Sequence, residues 1–102
     1  MTRVSVIIPT WNGRELLAGA LASLREQRFR DFDVVVVDNG STDGTPEWVR
    51  AEHPEAELVV LGENRGFAGA VNAGIGRARG EFVALLNNDC LLYTSPSPRD
   101  RS

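Results

Sequence analysis

VVVVDNGSTD, at residues 34–43, is the most informative stretch of this 102-residue sequence. Its four consecutive valines are typical of a strand that is buried on both faces. Asp38, Asn39 and Gly40 follow directly, and these residue types favour turns because they tolerate backbone angles that most others avoid. A strand with two apolar faces indicates a sheet that is covered by helices on both sides.

Three other segments repeat this pattern of an apolar run that ends in polar residues. They lie at residues 4–8, 58–61 and 82–86, and each is followed by a polar loop. We therefore predict a total of four strands, with the valine run at residues 34–37 as the second in chain order.

Three helices are predicted between these strands. The first starts near Arg14, where leucine and alanine recur at a spacing of three to four residues. The second starts near Pro46 with Thr45 as its N-cap and ends at His53, whose side chain we expect to be solvated. The third helix covers residues 68–79 and is rich in small residues.

This alternation of strands and helices predicts the α/β fold class, with a doubly wound, mostly parallel sheet and helices on both faces. In such sheets ligands bind beyond the carboxyl ends of the strands. We assign residues 1–89 to this domain. The polar residues that follow the four strands are Thr10-Trp11-Asn12, Asp38, Asn64-Arg65 and Asn87-Asn88-Asp89.

Residues 90–102 form a second region of different composition, rich in serine, proline and arginine. Residues 90–100 read CLLYTSPSPRD, which matches the translation of a transposase-type sequencing adapter at every codon; a natural linker is the alternative. We predict a disordered tail that is an artefact of sequencing. The strand at residues 82–86 would then lie at an exposed sheet edge, which predicts poor solubility.

Composition excludes several classes of function. The net charge of −3 provides no broad basic surface, so nucleic acid is not expected as a partner. The early apolar run at residues 4–9 is too short for a signal peptide or a membrane span, which predicts a cytoplasmic location. A single cysteine, Cys90, rules out an intrachain disulfide and a thiolate zinc site.

The first two loops contain candidate base-binding residues. Trp11 follows Pro9 and Thr10 at a strand end and could stack on a nucleobase, or it could simply plug the sheet edge. Asp38 could accept hydrogen bonds from a base imide or from ribose hydroxyls, although turn chemistry also explains an acid at this position. Asp43 is expected to act as a cap or a support.

The last two loops contain candidate phosphate- and metal-binding residues. Arg65 beside a glycine-rich helix start suits a diphosphate, but glycines also occur where elements pack closely. Asn87, Asn88 and Asp89 offer the oxygen ligands that Mg²⁺ or Mn²⁺ prefer. A strand-terminating turn is the alternative explanation for these three residues.

The motifs VSVIIPTWN, VVVVDNGSTDGT, ENRGFAGAVNAGI and FVALLNND occur in this order between residues 3 and 89. Together they resemble the N-terminal half of family 2 glycosyltransferases, which have the GT-A fold. The resemblance implies transfer of a sugar, with inversion, from a nucleoside diphosphate sugar to an acceptor hydroxyl, assisted by Mg²⁺ or Mn²⁺. Cell-surface polysaccharide synthesis is the implied process.

The resemblance also implies roles for individual residues. Nucleotide-sugar contacts fall on Pro9, Thr10, Trp11, Asn12, Asp38, Arg65, Asn87 and Asn88. Asp89 matches the last position of the family's metal motif. Asn87 replaces the first acid of that motif, as in rhamnosyltransferase-like members, which favours dTDP-rhamnose as donor. More broadly, the resemblance implies a dTDP- or UDP-sugar donor. The acceptor would be a glycan or a lipid-linked molecule, reached at the inner face of the membrane.

The family's general base follows the metal motif by many residues, so the resemblance implies that this chain lacks it and is inactive alone. A non-catalytic nucleotide-binding or interaction domain is the main alternative. A dehydrogenase is disfavoured because residues 9–13 lack the G-x-G-x-x-G motif. A nucleotidyltransferase would usually carry a glycine-rich basic loop after the first strand, and this sequence has none there.

Overall fold

The computed structural model describes residues 4–26 and 32–86 together with the backbone of residues 92–96. Strands and helices alternate up to the fourth strand, as the sequence predicts. In chain order the elements are β1 (Val4–Thr10), α1 (Arg14–Arg25), β2 (Phe32–Asp38), α2 (Thr45–Glu52), β3 (Glu57–Val60), α3 (Gly66–Arg77), β4 (Phe82–Leu86) and β5 (Leu92–Pro96).

The sheet has the strand order β3-β2-β1-β4-β5, and its first four strands are parallel. This arrangement confirms the predicted α/β fold with a mostly parallel sheet. The prediction of a disordered tail is wrong for residues 92–96, because they form β5 and pair with β4 in antiparallel orientation. An unpaired edge of β4 would leave hydrogen-bonding groups open, and β5 satisfies them. The open edge of the sheet thus lies at β5 instead of β4, and poor solubility stays a prediction.

Helices cover both faces of the sheet. On one face, α1 and α2 pack against β1 and β2 through buried residues such as Leu17, Val36 and Val49. On the other face, α3 packs against Ile7 and Val37. The approach of α3 is close because Gly74 has no side chain. A Cβ atom there would lie 2.5 Å from Cγ2 of Ile7, so part of the glycine content of this helix serves packing.

The first strand is two residues longer than predicted and includes Pro9. Asn39 N–H donates to the carbonyl oxygen of Thr10, so Thr10 faces β2. The nitrogen of Pro9, which carries no hydrogen, therefore faces β4. The pairing of β1 with β4 ends two residues earlier, at Ile7. Because no ladder bond is needed there, proline is tolerated in a central strand.

The ends of α2 differ from the prediction in their details. Gly44 occupies the N-cap position with a φ of 82°, and Thr45 is the first helical residue, so the predicted N-cap is one residue late. The carboxylate of Asp43 accepts hydrogen bonds from Thr45 N–H and from its hydroxyl, as expected of a capping residue. His53 ends the helix as predicted. Its ring is buried beside Trp48, however, so the expectation of a solvated side chain is wrong.

Candidate functional site

The carboxyl ends of three neighbouring strands meet at one edge of the sheet. Thr10 of β1 lies opposite Asp38 of β2 in the strand register. Leu61, directly after β3, donates its N–H to the carbonyl oxygen of Asp38 over 3.0 Å. The loops that follow these strands therefore surround the ends of β1 and β2, where the sequence predicts a ligand site.

Two buried polar atoms at this edge have no hydrogen-bond partner within the described part of the chain. They are Oγ1 of Thr10 and Oδ1 of Asp38, whose residues are only 2% and 1% exposed. The other carboxylate oxygen, Oδ2 of Asp38, accepts the N–H of Ser41 over 3.0 Å. A buried polar atom left unpaired costs about 1–3 kcal/mol, so these two atoms mark a place where a partner would be stabilising.

The loop after β1 exposes its tryptophan. Trp11 is 53% exposed, which argues against the alternative that it plugs the sheet edge. Asn12 next to it has a φ of 47°, and its side-chain oxygen accepts the N–H of Thr42 over 2.7 Å. The N–H of Asn12 donates to the hydroxyl of Ser41 over 2.9 Å. These reciprocal bonds fix the conformation of the loop that carries Trp11.

The loop after β3 is bonded to the end of β2 through Asn39. Its side-chain oxygen accepts the N–H of Arg65 over 2.8 Å, and its amide nitrogen donates to Gly66 O over 3.2 Å and to Asn64 Oδ1 over 3.3 Å. The side chain of Arg65 is exposed, with its Nε 3.9 Å from a carboxylate oxygen of Glu63. Arg65 thus stands at the start of α3 with its guanidinium open to solvent.

Sequence reasoning missed the bracing residues Asn39, Ser41 and Asn64. The sequence explains Asn39 and Ser41 by turn preference, and it places Asn64 at a strand end without assigning it a role. The one available signal was the density of Asn, Ser and Asp in loops that meet at a single edge. By contrast, the predicted residues Pro9, Thr10, Trp11, Asn12, Asp38 and Arg65 all lie at this edge of the sheet.

Asp43 supports the site from the side. The hydroxyl of Thr45 donates to its carboxylate and holds the pKa of Asp43 below its usual value. Burial opposes this shift, while the backbone N–H groups of Thr45 and Arg14 act in the same direction as the hydroxyl. Because Arg14 begins α1 and Thr45 begins α2, this single carboxylate joins the first turns of two helices.

The predicted metal-binding segment, Asn87, Asn88 and Asp89, lies outside the described residues. Within residues 4–26 and 32–86, no group of three or more His, Cys, Asp or Glu side chains is placed to hold a metal ion. The chain leaves β4 at Leu86, and β4 is parallel to β1, so it leaves at the same sheet edge as Thr10. The metal role of Asp89 stays a prediction. None of the described helices is long and apolar enough to cross a membrane.

A mostly parallel α/β sheet whose strand ends carry buried polar atoms without a partner in the described part of the chain is typical of a ligand-binding α/β domain. The family model described as glycosyl transferase family 2 matches residues 5–95. The chain therefore belongs to glycosyltransferase family 2, which confirms the resemblance in the sequence. The match covers residues 5–89 of the predicted domain and the first four residues of β5.

Two curated relatives show the extent of the similarity. The succinoglycan biosynthesis protein ExoO of Rhizobium meliloti is 40% identical over 87 residues, which cover 84% of this chain and 25% of that protein. The GalNAc(5)-diNAcBac-PP-undecaprenol beta-1,3-glucosyltransferase of Campylobacter jejuni is 36% identical over 93 residues, covering 87% of this chain and 30% of that protein. The chain thus spans about a quarter to a third of the length of these relatives.

Solved structures agree with the fold. The mannosyltransferase PcManGT from Pyrobaculum calidifontis, in complex with GDP-Man and Mn²⁺, superposes with a TM-score of 0.74 at 40% identity, covering 85% of this chain and 27% of that one. Residues 1–349 of S. aureus TarS, in complex with UDP, give a TM-score of 0.78 at 34% identity, with coverage of 86% and 28%. The described sheet is thus the GT-A architecture of these glycosyltransferases.

Proposed function

We propose that this chain forms the nucleotide-sugar-binding part of an inverting glycosyltransferase. The enzyme transfers a sugar from a nucleoside diphosphate donor to an acceptor hydroxyl. The observation that carries the proposal is the buried Oδ1 atom of Asp38 at the carboxyl edge of the sheet, which has no hydrogen-bond partner within residues 4–26 and 32–86. Family membership and the nucleotides in the two solved structures support the same conclusion.

The base and the ribose would bind beside Asp38 and Thr10. The free carboxylate oxygen of Asp38 is an acceptor for a base imide N–H or a ribose hydroxyl, and Thr10 adds a hydroxyl at its side. Trp11 is exposed at the same edge and offers a ring face for stacking. Pro9 and Asn12 would complete the wall of this pocket.

The diphosphate would bind near Arg65 and the segment that follows β4. The guanidinium of Arg65 is exposed at the start of α3, and a helix N-terminus adds positive potential. Asn87 and Asn88 would contact the donor, and Asp89 would hold Mg²⁺ or Mn²⁺. When bound, the metal would neutralise charge on the diphosphate leaving group. PcManGT carries Mn²⁺ in its complex, which supports a divalent metal here.

The donor, acceptor and location follow as further parts of the proposal. We propose a dTDP- or UDP-sugar as donor and a glycan or lipid-linked acceptor at the inner face of the membrane, in polysaccharide synthesis. The undecaprenol-linked substrate in the name of the Campylobacter jejuni relative supports a lipid-linked acceptor. No residue of this chain is assigned the role of general base, so we expect the 102-residue chain alone to bind nucleotide without transferring sugar.

The test is nucleotide binding by the 102-residue chain, measured calorimetrically with UDP, dTDP and GDP in the presence of Mn²⁺. Asp38→Asn keeps an acceptor for Ser41 N–H but turns the free oxygen into a donor. Its dissociation constant for the tightest nucleotide should rise by at least about tenfold, because hydrogen bonds to charged groups contribute about 1.5–3 kcal/mol. Glu81→Gln removes the same charge from an exposed residue just before β4 and serves as the control.

Two outcomes would contradict this assignment. One is no binding of any nucleotide by the wild-type chain. The other is equal affinities of Asp38→Asn and Glu81→Gln.

For a longer protein that contains this chain, turnover of a nucleotide sugar that is lost on Asp89→Ala would support the metal role. Binding without any turnover in that longer protein would favour a non-catalytic nucleotide-binding domain.

A further inference from the structure

We propose that Asn39 is a positioning residue, which holds Arg65 and the first turn of α3 against the end of β2 for nucleotide binding. This inference rests on the proposed nucleotide-binding function. Asn39 itself would not touch the nucleotide. Its side chain is already committed to three partners, all of them in residues 64–66.

The contacts of Asn39 are buried and complementary. The residue is 6% exposed, its carbonyl oxygen is used as an acceptor by Arg65 N–H, and its amide nitrogen donates to Gly66 O and to Asn64 Oδ1. Asn64 Oδ1 also accepts the N–H of Gly66 over 2.8 Å. Among side chains, only the amides of asparagine and glutamine combine a carbonyl acceptor with two donor hydrogens. Glutamine is one methylene longer than asparagine.

Backbone packing makes this connection rigid. Asn39 is anchored to β1 by its own N–H, which donates to Thr10 O over 2.8 Å. Gly40 follows with a φ of 87°, and a Cβ atom on it would lie 2.7 Å from the carbonyl carbon of Glu63. The loops after β2 and β3 are therefore in direct backbone contact, and Asn39 connects them to the end of β1.

The backbone of Arg65 is held by hydrogen bonding, whereas its side chain is free of such bonds among the described contacts. The backbone is held by Asn39, while the guanidinium is exposed and has only a long ion pair with Glu63 among its described contacts. An exposed ion pair of this kind contributes little to holding the side chain. The position from which Arg65 can reach an anion is therefore set by Asn39, and holding a binding group in place before the ligand arrives strengthens affinity.

A double-mutant cycle in the 102-residue chain tests this coupling. Asn39→Ala, Arg65→Ala and the double variant are compared with wild type for binding of UDP, dTDP or GDP with Mn²⁺, whichever binds most tightly. Asn72→Ala is the matched control, because Asn72 is an exposed residue in the middle of α3. We expect Arg65→Ala to weaken binding about tenfold in the wild-type background and less than about twofold in the Asn39→Ala background.

A second variant and a second measurement guard against loss of folding. Asn39→Asp keeps an acceptor for Arg65 N–H but loses the donors, so its affinity should lie between those of wild type and Asn39→Ala. In hydrogen exchange, Asn39→Ala should accelerate exchange of the Arg65 and Gly66 amides while the β1 and β2 amides stay protected. A general loss of structure would instead accelerate exchange across the sheet.

Three results would overturn the inference. Additive effects of Asn39→Ala and Arg65→Ala would show that the two residues act independently. Equal affinities of Asn39→Ala and Asn72→Ala would remove any role in binding. Acceleration of exchange across β1 and β2 would assign Asn39 to overall stability only. If the wild-type chain binds none of the nucleotides, the proposed function fails together with this inference. The first three results overturn only the inference and leave the proposed function intact.

Discussion

Replacing Gly40 by alanine should destabilise the protein far more than the same change at Gly62. Both glycines have a positive φ, 87° at Gly40 and 80° at Gly62. Alanine pays about 1–2 kcal/mol for this left-handed conformation at either position. Only Gly40 meets a second penalty, because its Cβ would lie 2.7 Å from the carbonyl carbon of Glu63 and 2.9 Å from the backbone nitrogen of Asn64. A Cβ atom at Gly62 would meet nothing within 4 Å outside the adjoining residues.

The additional penalty can be given a rough size. The atoms that oppose the new Cβ belong to the backbone, and overpacking typically costs about 1–3 kcal/mol. We therefore expect Gly40→Ala to lower the free energy of unfolding by about 2–5 kcal/mol and Gly62→Ala by about 1–2 kcal/mol. Urea denaturation followed by circular dichroism measures both values. Equal losses in the two variants would refute the close contact between the loops after β2 and β3.

Two further predictions concern packing and pH. Gly74→Ala should lower the free energy of unfolding by about 1–3 kcal/mol, because its Cβ would overlap with Ile7. A Cβ at Gly76 would meet nothing within 4 Å outside its own helix, so Gly76→Ala should be neutral or stabilising, and urea denaturation compares the two variants. Asp43 has a pKa below its ordinary value of 3.8, so the stability it contributes is present above that pH and is lost as the pH falls through the lower, folded-state pKa. Asp43→Asn should therefore reduce this loss of stability on acidification in urea titrations, and an unchanged pH profile would contradict the role of Asp43.

The sheet was largely predictable because strands that are buried on both faces have continuous apolar sequences. The valine run of β2 and the apolar run of β4 are typical of strands covered on both sides, and both lie where predicted. The order of elements then limited the topology. β5 was not predictable in this way, because its residues carry no apolar alternation. Its pairing follows from the open edge of β4 rather than from local preference.

The site was predictable in composition but not in its internal bonding. Sequence placed Thr10, Trp11, Asp38 and Arg65 at strand ends, and the parallel topology brings those ends together. It could not show that Asn39 bonds to a loop 25 to 27 residues further along the chain. Turn preference explains an asparagine at this position equally well without any such bond, so local preference concealed the longer-range role.

The distribution of hydrogen bonds at this edge distinguishes bracing residues from residues that are free to bind. Asn12 and Asn39 use their side chains on neighbouring loops, and Ser41 accepts one bond while its N–H donates to Asp38. After these bonds are made, Thr10 Oγ1 and Asp38 Oδ1 stay buried with no hydrogen-bond partner among the residues that the structure describes. A loop built only for stability would pair such atoms, because leaving them unpaired is costly. The ends of β1 and β2 therefore present two unsatisfied groups beside braced loops, which is the arrangement expected where a ligand supplies the missing partners.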